Sequence, residues 1–149
     1  MTTATENPVL ITDTGFGPDT WTKGWQDWDL VTQSGGDLET GFGLDVPNTL
    51  EAAHLQPYFE QAAAIRIPFP SFADGRGFSL ARHLRLLGYR GRLRAAGHVI
   101  ADQYTMARRC GFDEVEIPAD LAQRQPEPQW LARANWQDHG YRARLQQAG

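Results

Sequence analysis

Two copies of one short pattern constrain the fold of this 149-residue chain more than any other feature. In each copy a helical segment ends at a glycine, an aromatic residue follows, and a β-rich segment comes next: Leu87-Gly88-Tyr89 and then Cys110-Gly111-Phe112. The two glycines are 111 − 88 = 23 residues apart, a length that accommodates one strand and one crossover helix. The spacing therefore predicts consecutive strand–helix units, which form a parallel sheet with right-handed crossovers.

Hydrophobic periodicity places these units along the chain. Strands are predicted around residues 43, 65, 92 and 115, and helices over residues 50–63, 79–88 and 99–110. Leu80, Leu84 and Leu87 share one face of the second helix, and Ser79 is its predicted N-cap. Pro68 is unusual within its strand because proline removes a donor from the hydrogen-bond ladder.

We predict a single α/β domain whose mostly parallel sheet has about four strands with crossover helices, in an arrangement that resembles part of a barrel. Residues 1–40 are interpreted as a lead-in, residues 41–120 as the parallel core and residues 121–149 as a helical tail. Within these segments we expect short strands at residues 9–12 and 29–33, a loop at 34–37, and one or two helices over 130–147.

The lead-in carries three closely spaced tryptophans, Trp21, Trp25 and Trp28. Large aromatic rings of this kind serve two purposes in proteins, core packing and subunit contact. We expect them either to pack the lead-in onto the α/β core or to contact a second subunit, so self-association stays open.

Composition and charge exclude several classes of protein. The net charge of −4 argues against general nucleic-acid binding. No run approaches the ~18 apolar residues of a membrane span, and the N-terminus lacks the pattern of a signal peptide. A single cysteine, Cys110, precludes an internal disulfide, and the expected location is the cytoplasm. No metal site is predicted, since the four histidines have no ligand spacing: His54, His83, His98 and His139.

The basic residues are almost all arginine, and they are clustered. Of the 14 lysines and arginines only Lys23 is lysine, and eight arginines lie between Asp74 and Asp113. Guanidinium groups form bidentate pairs with carboxylates, phosphates and sulfate-like anions. Arg92 and Arg94 alternate on one face of a predicted strand, although strands inside parallel sheets are normally apolar on both faces. Either this strand lies at an edge, or an arginine points into a paired or ligand-filled site; we favour Arg94 for that role.

Ligands of parallel sheets bind at the carboxyl ends of the strands, where two loops of this chain are predicted to meet. The first contains Asp74, Gly75, Arg76 and Gly77 and is followed by Ser79, and its backbone amides and guanidinium suit an anion. In the alternative reading, Asp74 and Arg76 only pair with each other in a tight turn.

The second loop adds further candidate residues after its strand. Gly97 and Arg94 are expected at the anion site, and Gln103 supplies an amide to the same edge. His98 and Asp102 lie four residues apart, so on a helix Asp102 would orient the imidazole as a general acid–base pair. Alternatively, either residue caps the helix.

Short motifs of the central stretch also match one bacterial family. They are Phe72-Ala73-Asp74-Gly75-Arg76-Gly77-Phe78-Ser79, Ala81-Arg82 with Leu84-Arg85, Gly88-Tyr89-Arg90-Gly91, Leu93-Arg94-Ala95-Ala96-Gly97, Asp102-Gln103 and Arg109-Cys110-Gly111-Phe112-Asp113. On these motifs the chain resembles the family called domain of unknown function 934, from about Leu44 to Ile117. Members usually have an aspartate where this chain has His98, so the His98 hypothesis belongs to this chain and not to the family.

The resemblance implies a pathway but transfers no catalytic residue. Members are described as oxidoreductases connected with sulfite reduction, because their genes lie beside those for sulfate assimilation. The resemblance therefore implies an accessory role in that pathway, with a small anionic ligand or a partner such as sulfite reductase. The residues show no flavin or nicotinamide fingerprint, so the cofactor stays unknown. Two alternatives remain open: an enzyme acting on a phosphorylated metabolite held by Arg76 and Arg94, and a structural or oligomerising module.

Overall fold

Five parallel strands follow one another across the sheet in the order in which they occur in the chain. They are β3 (Trp25–Asp27), β4 (Phe42–Asp45), β5 (Ala62–Phe69), β6 (Arg92–Gly97) and β7 (Glu114–Ile117). The computed structural model describes residues 7–33 and 40–137. It confirms an α/β domain with parallel strands at all four predicted places, and consecutive order is also the arrangement within a β/α barrel.

The predicted number of strands is wrong, because the lead-in adds three. β1 (Val9–Thr12) and β2 (Gly15–Gly17) form a hairpin, and β1 also pairs antiparallel with β7. The resulting sheet is mixed and seven-stranded, with the order β2-β1-β7-β6-β5-β4-β3 in the part of the chain described. β2 and β3 have three residues each, too few for an alternating hydrophobic pattern to be recognised.

Helices connect the parallel strands and extend the chain beyond them. Their bounds are α1 (Trp28–Gln33), α2 (Ala52–Leu55), α3 (Arg76–Leu86), α4 (Tyr104–Cys110), α5 (Ala119–Arg124) and α6 (Glu127–Leu131), with 3-10 turns at Gln56–Tyr58 and Ala101–Gln103. As the sequence predicts, Gly88 and Gly111 follow α3 and α4 with positive φ angles of 104° and 112°. No helix among the described residues is long and apolar enough to cross a membrane.

Local hydrogen bonds explain why two predicted elements begin elsewhere. α3 starts at Arg76 and not at Ser79, because the Asp74 carboxylate accepts the Arg76 backbone N–H at 3.2 Å. Ser79 therefore lies inside the helix and is not its N-cap. Residues 29–33 are helical and not a strand, since the Asp27 carboxylate accepts the Asp29 N–H at 3.0 Å.

Two predicted helices are shorter than expected. In the segment 50–63, Pro57 has no N–H to donate to a helical carbonyl, and α2 gives way to a 3-10 turn. In the segment 99–110, Gln103 Oε1 accepts the Ile100 N–H at 3.0 Å, which forms a 3-10 turn before α4. Residues 34–37, residues 138–147 and His139 lie outside the described residues, and so do the predictions made for them.

The two faces of the sheet have different chemistry. Aromatic contacts place α3 on one of them, since the rings of Phe69 in β5 and Phe78 in α3 are 4.9 Å apart. Right-handed crossovers between consecutive neighbours put all the connecting helices on that face. Alternation along the strands then turns Arg66 and Arg94 to the opposite side, here called the open face.

Pro68 occupies a central strand without breaking a ladder. The Arg66 carbonyl accepts the N–H of Val46, so even-numbered residues of β5 direct their polar groups toward β4. β4 ends at Asp45, and the Pro68 carbonyl is bonded by the Asn48 side chain at 3.3 Å. The missing donor therefore faces a position that no strand occupies.

Candidate functional site

Charged side chains cover the centre of the open face, where parallel sheets are usually apolar. The arginines come from the two central strands β5 and β6, and the carboxylates come from β4 and β7 on either side of them. Each carboxylate of β7 contacts two guanidinium groups. We call this set the ion-pair chain; it runs Asp45–Arg66–Glu116–Arg94–Glu114–Arg92. It contains three guanidinium groups and three carboxylates, so it is neutral by itself.

Arg94 is the central member and has 0% side-chain exposure. Its Nε donates to Glu114 at 2.6 Å, and its Nη1 donates to Glu116 at 2.8 Å. Nη1 and Nη2 also donate to the two oxygens of Asp19 at 2.9 and 2.7 Å. Burial lowers the pKa of this guanidinium, but the hydrogen bonds to Asp19, Glu116 and Glu114 outweigh burial and raise the pKa overall.

Arg66 forms the second strong pair of the open face. Its Nε and Nη2 donate to Asp45 at 2.6 and 2.7 Å, the bidentate geometry typical of arginine and carboxylate. Its Nη1 reaches Glu116 at 3.1 Å. Burial opposes the charge here too, yet the bonds to Asp45 raise the pKa of Arg66.

Tryptophans from the lead-in cover the arginines. The Trp25 ring centre lies 4.4 Å from the Arg66 guanidinium carbon and 5.2 Å from that of Arg94, within the range of a cation–π contact. Trp21 lies beside Trp25, with ring centres 5.5 Å apart, and 5.8 Å from the Arg92 guanidinium carbon. Residues 18–24, which connect β2 to β3 and are here called the strap, therefore cross the open face.

Two cavities flank the ion-pair chain, and both are lined by Arg66 and Glu116. The first, of about 520 Å³, opens at the carboxyl ends of β3 to β7. Four carboxylates line it with one guanidinium: Asp27, Asp29, Asp45, Glu116 and Arg66. The second cavity, of about 600 Å³, lies under the strap and is lined by Asp19, Trp21 and Trp25.

The predicted loop after β5 lies on the other side of the sheet. Arg76 donates to Asp74 at 2.9 and 2.7 Å, and the hydrogen bond from Arg76 holds the Asp74 pKa well below its usual range. This pairing is the alternative given in the sequence analysis, in which Asp74 and Arg76 pair with each other in a tight turn. Asp74 also accepts a hydrogen bond from Asn48, and Gly75 and Gly77 form the start of α3.

Arg76 and Ser79 line a different cavity from those of the open face. It measures about 830 Å³ and lies between α2 and α3, with Leu50, Leu86 and Leu87 among its walls. Arg94 is on the opposite face of the sheet. No single small anion therefore contacts both Arg76 and Arg94.

The loop after β6 does lie beside the loop after β5, as the parallel strands require. Gly97 is paired with Phe69, the His98 N–H donates to the Phe69 carbonyl at 2.7 Å, and Gln103 Nε2 donates to the Phe72 carbonyl at 2.7 Å. Gln103 thus joins the two loops. This close contact is structural and leaves the Gln103 amide engaged by backbone groups at both ends.

His98 and Asp102 are not arranged as the predicted acid–base pair. Asp102 lies in a 3-10 turn, and its carboxylate accepts from Arg133 Nη2 at 2.9 Å. His98 is exposed, and no hydrogen bond joins it to Asp102 among the described residues. The helical spacing behind the prediction is absent because α4 begins only at Tyr104.

Sequence reasoning found Arg94 but missed the residues around it, Asp19, Trp25, Asp45, Arg66 and the two glutamates. A usable signal was present. Glu114 and Glu116 alternate with apolar residues in one strand, as Arg92 and Arg94 do in the neighbouring strand, with opposite charge. Complementary alternation in adjacent strands predicts cross-strand ion pairs on one face.

Comparison with known proteins gives one match. The family described as bacterial protein of unknown function (DUF934) matches residues 43–147. No curated protein and no solved structure matches the chain significantly. The matched segment contains the whole ion-pair chain, whereas the strap and Trp25 precede it.

Proposed function

The chain belongs to the DUF934 family of bacterial proteins, and from this premise we propose that it is a cytoplasmic accessory protein of assimilatory sulfate or sulfite reduction that binds a small oxyanion on its open face. Support for the pathway comes from the family, whose members are described in connection with sulfite reduction. Support for the ligand comes from the arginines.

The observation that carries the oxyanion is the group of guanidiniums on adjacent strands. Arg66, Arg92 and Arg94 lie on one face of the sheet and are held by carboxylates that fix their orientation. Guanidinium groups are planar forks that match sulfate-like anions, and the carboxylates of the strands hold these forks in a fixed orientation. Trp25 lies against Arg66 and Arg94, and Arg94 is fully buried, which strengthens its electrostatic contacts.

The carboxyl-end cavity is a poor place for the free anion. Its four carboxylates outnumber the single Arg66, and like charges in a cleft repel an anion. We therefore assign the anion to the arginines nearer the strap. This placement differs from the loop-based site expected from the glycines at residues 75 and 77.

The acidic cavity favours a second candidate, docking of a reductase partner through a basic segment. Four carboxylates at one sheet edge complement lysine or arginine side chains of a partner. Such docking weakens steeply with salt because exposed charges are screened. Co-purification with sulfite reductase that is lost in the Asp27→Asn, Asp29→Asn double variant is the result expected for this candidate.

Deletion of the gene tests the pathway. The deletion strain is expected to grow poorly with sulfate as its sulfur source and normally with sulfide, because the defect lies before sulfide. Plasmid-borne wild-type protein is expected to restore growth on sulfate. Equal growth of the deletion and parent strains on sulfate contradicts the proposed function.

The other two functions expected from the sequence receive less support. A phosphorylated metabolite held jointly by Arg76 and Arg94 has no single site, since these residues lie on opposite faces. The three tryptophans of the assembly hypothesis make contacts within their own chain: Trp21 with Trp25, Trp25 with Arg66, and Trp28 with Tyr58.

A further inference from the structure

Asp19 pairs with the ion-pair chain but does not belong to the parallel strands. It lies in the strap, 75 residues from Arg94 in sequence, and gives both carboxylate oxygens to the Arg94 fork. We propose that the Asp19 carboxylate is a built-in substitute for the oxyanion, so that the ligand binds the Arg94 fork in its place when the strap lifts. This inference rests on the proposed function, because it specifies the anion site and its control.

The geometry of Arg94 supports a replaceable ligand at one end only. Glu114 and Glu116 occupy Nε and one side of Nη1, and both belong to the adjacent strand β7. The outer edge, formed by Nη1 and Nη2, faces Asp19. Two oxygens of a sulfate, a sulfite or a carboxylate fit this edge equally well, since bidentate pairing is determined by oxygen spacing.

Charge balance leads to the same assignment. The ion-pair chain contains three guanidinium groups and three carboxylates, and Asp19 adds a fourth carboxylate. Its departure leaves the chain neutral and deprives Arg94 of two hydrogen bonds. A buried guanidinium that loses such partners is costly, so an incoming anion is favoured there.

Solvent access also differs between the two partners. The Asp19 side chain is 48% exposed whereas that of Arg94 is 0% exposed. The strap is further held by Thr20, whose hydroxyl accepts from Arg92 at 2.8 Å, and by the Trp21–Trp25 contact. The cavity of about 600 Å³ beneath the strap is lined by Asp19 and Glu116, the two carboxylates that share Nη1 of Arg94. The carboxylate is therefore the part that leaves, and the guanidinium stays in place.

This arrangement controls affinity by competition. In the closed state the internal carboxylate occupies the fork, so the apparent affinity for an external anion equals the intrinsic affinity multiplied by the fraction of molecules with a lifted strap. A partner that binds the strap in its lifted position raises that affinity. The family match begins at residue 43, so the strap, which controls the affinity in this proposal, lies in the segment that precedes the match.

Removal of the competing carboxylate tests the inference. Thermal unfolding of Asp19→Ala is followed during titration with sodium sulfite and sodium sulfate, against sodium chloride at equal ionic strength. The wild type and Asp27→Ala serve as controls, the latter because Asp27 is a carboxylate of the open face that does not contact Arg94. If Asp19→Ala does not fold, Asp19→Asn replaces it.

The expected result is a saturable rise in melting temperature for the Asp19 variant, with an apparent dissociation constant about tenfold or more below that of both controls. Equal responses of the Asp19 variant and the controls, or equal effects of sulfate and chloride, overturn the inference. A growth defect of the deletion strain together with that result contradicts only this inference. Normal growth together with the expected anion response contradicts only the proposed pathway.

Discussion

Arg94 and Arg76 show how one residue type serves two purposes in this chain. Both were candidates for the anion site, and both pair with aspartates. Arg94 has 0% side-chain exposure and contacts three carboxylates, whereas Arg76 is 59% exposed and pairs with Asp74 two residues away. Because ion pairs at the surface contribute little, only the buried one is expected to affect folding strongly.

Substitution by methionine separates these roles. We expect Arg94→Met to lower the free energy of unfolding by about 3–5 kcal/mol, because Asp19 loses its ion-pair partner and Glu114 and Glu116 each lose one of two. Arg76→Met is the matched control and is expected to change it little. Urea denaturation of both variants measures the difference, and equal stability would show that the ion-pair chain is not a structural centre.

At the level of single residues, the sequence predicted which arginine is special but not what surrounds it. Alternation in β6 singled out Arg94, and the structure supports its paired alternative. Asp19 gave no signal, since its partner lies 75 residues away and no local pattern links them. His98 and Asp102 were grouped by a helical period that the 3-10 turn does not have.

Among the elements, the end of β6 depends on an especially close approach of backbones. Gly97 has a φ of 122°, and a Cβ atom there would lie 2.5 Å from the Phe69 carbonyl oxygen. A left-handed conformation combined with contact to backbone leaves no room for a side chain. This glycine sets the spacing between the ends of β5 and β6.

We therefore expect Gly97→Ala to destabilise the protein by about 1–3 kcal/mol, the cost of a strained backbone position. Gly75→Ala is the control, since a Cβ atom at Gly75 has no atom within 4 Å and its φ is −89°. Thermal unfolding of the two variants gives the comparison. A Gly97→Ala protein as stable as the Gly75→Ala protein would contradict the close approach.

The elements also show where sequence reasoning succeeds. Positions near 43, 65, 92 and 115 were predicted as strands because runs of apolar residues and closing glycines recur there. β2 and β3 escaped detection because three residues carry no periodicity. α1 was taken for a strand, since the capping of Asp29 by Asp27 is a local feature that hydrophobic spacing does not report.

For the whole molecule, consecutive parallel strands explain the placement of the site. Crossovers of the same handedness place the connecting helices on one face of the sheet, and the charged side chains lie on the other face. The loop with glycines at 75 and 77 leads into α3 and so belongs to the helical face. The arginines of the central strands face the strap. This topology is the reason that we propose the anion site on the open face and not at the loop.

An anomalous difference map distinguishes these two locations directly. Crystals of Asp19→Ala grown with selenate, measured at the selenium edge, locate the anion without reference to any assay. The structure predicts a selenium peak about 4 Å from the Arg94 nitrogens Nη1 and Nη2, because the selenium lies one bond beyond the oxygens that accept their hydrogen bonds. A peak only at the Asp74–Arg76 loop, or no peak near Arg94 at saturating selenate, would contradict the assignment of the open face.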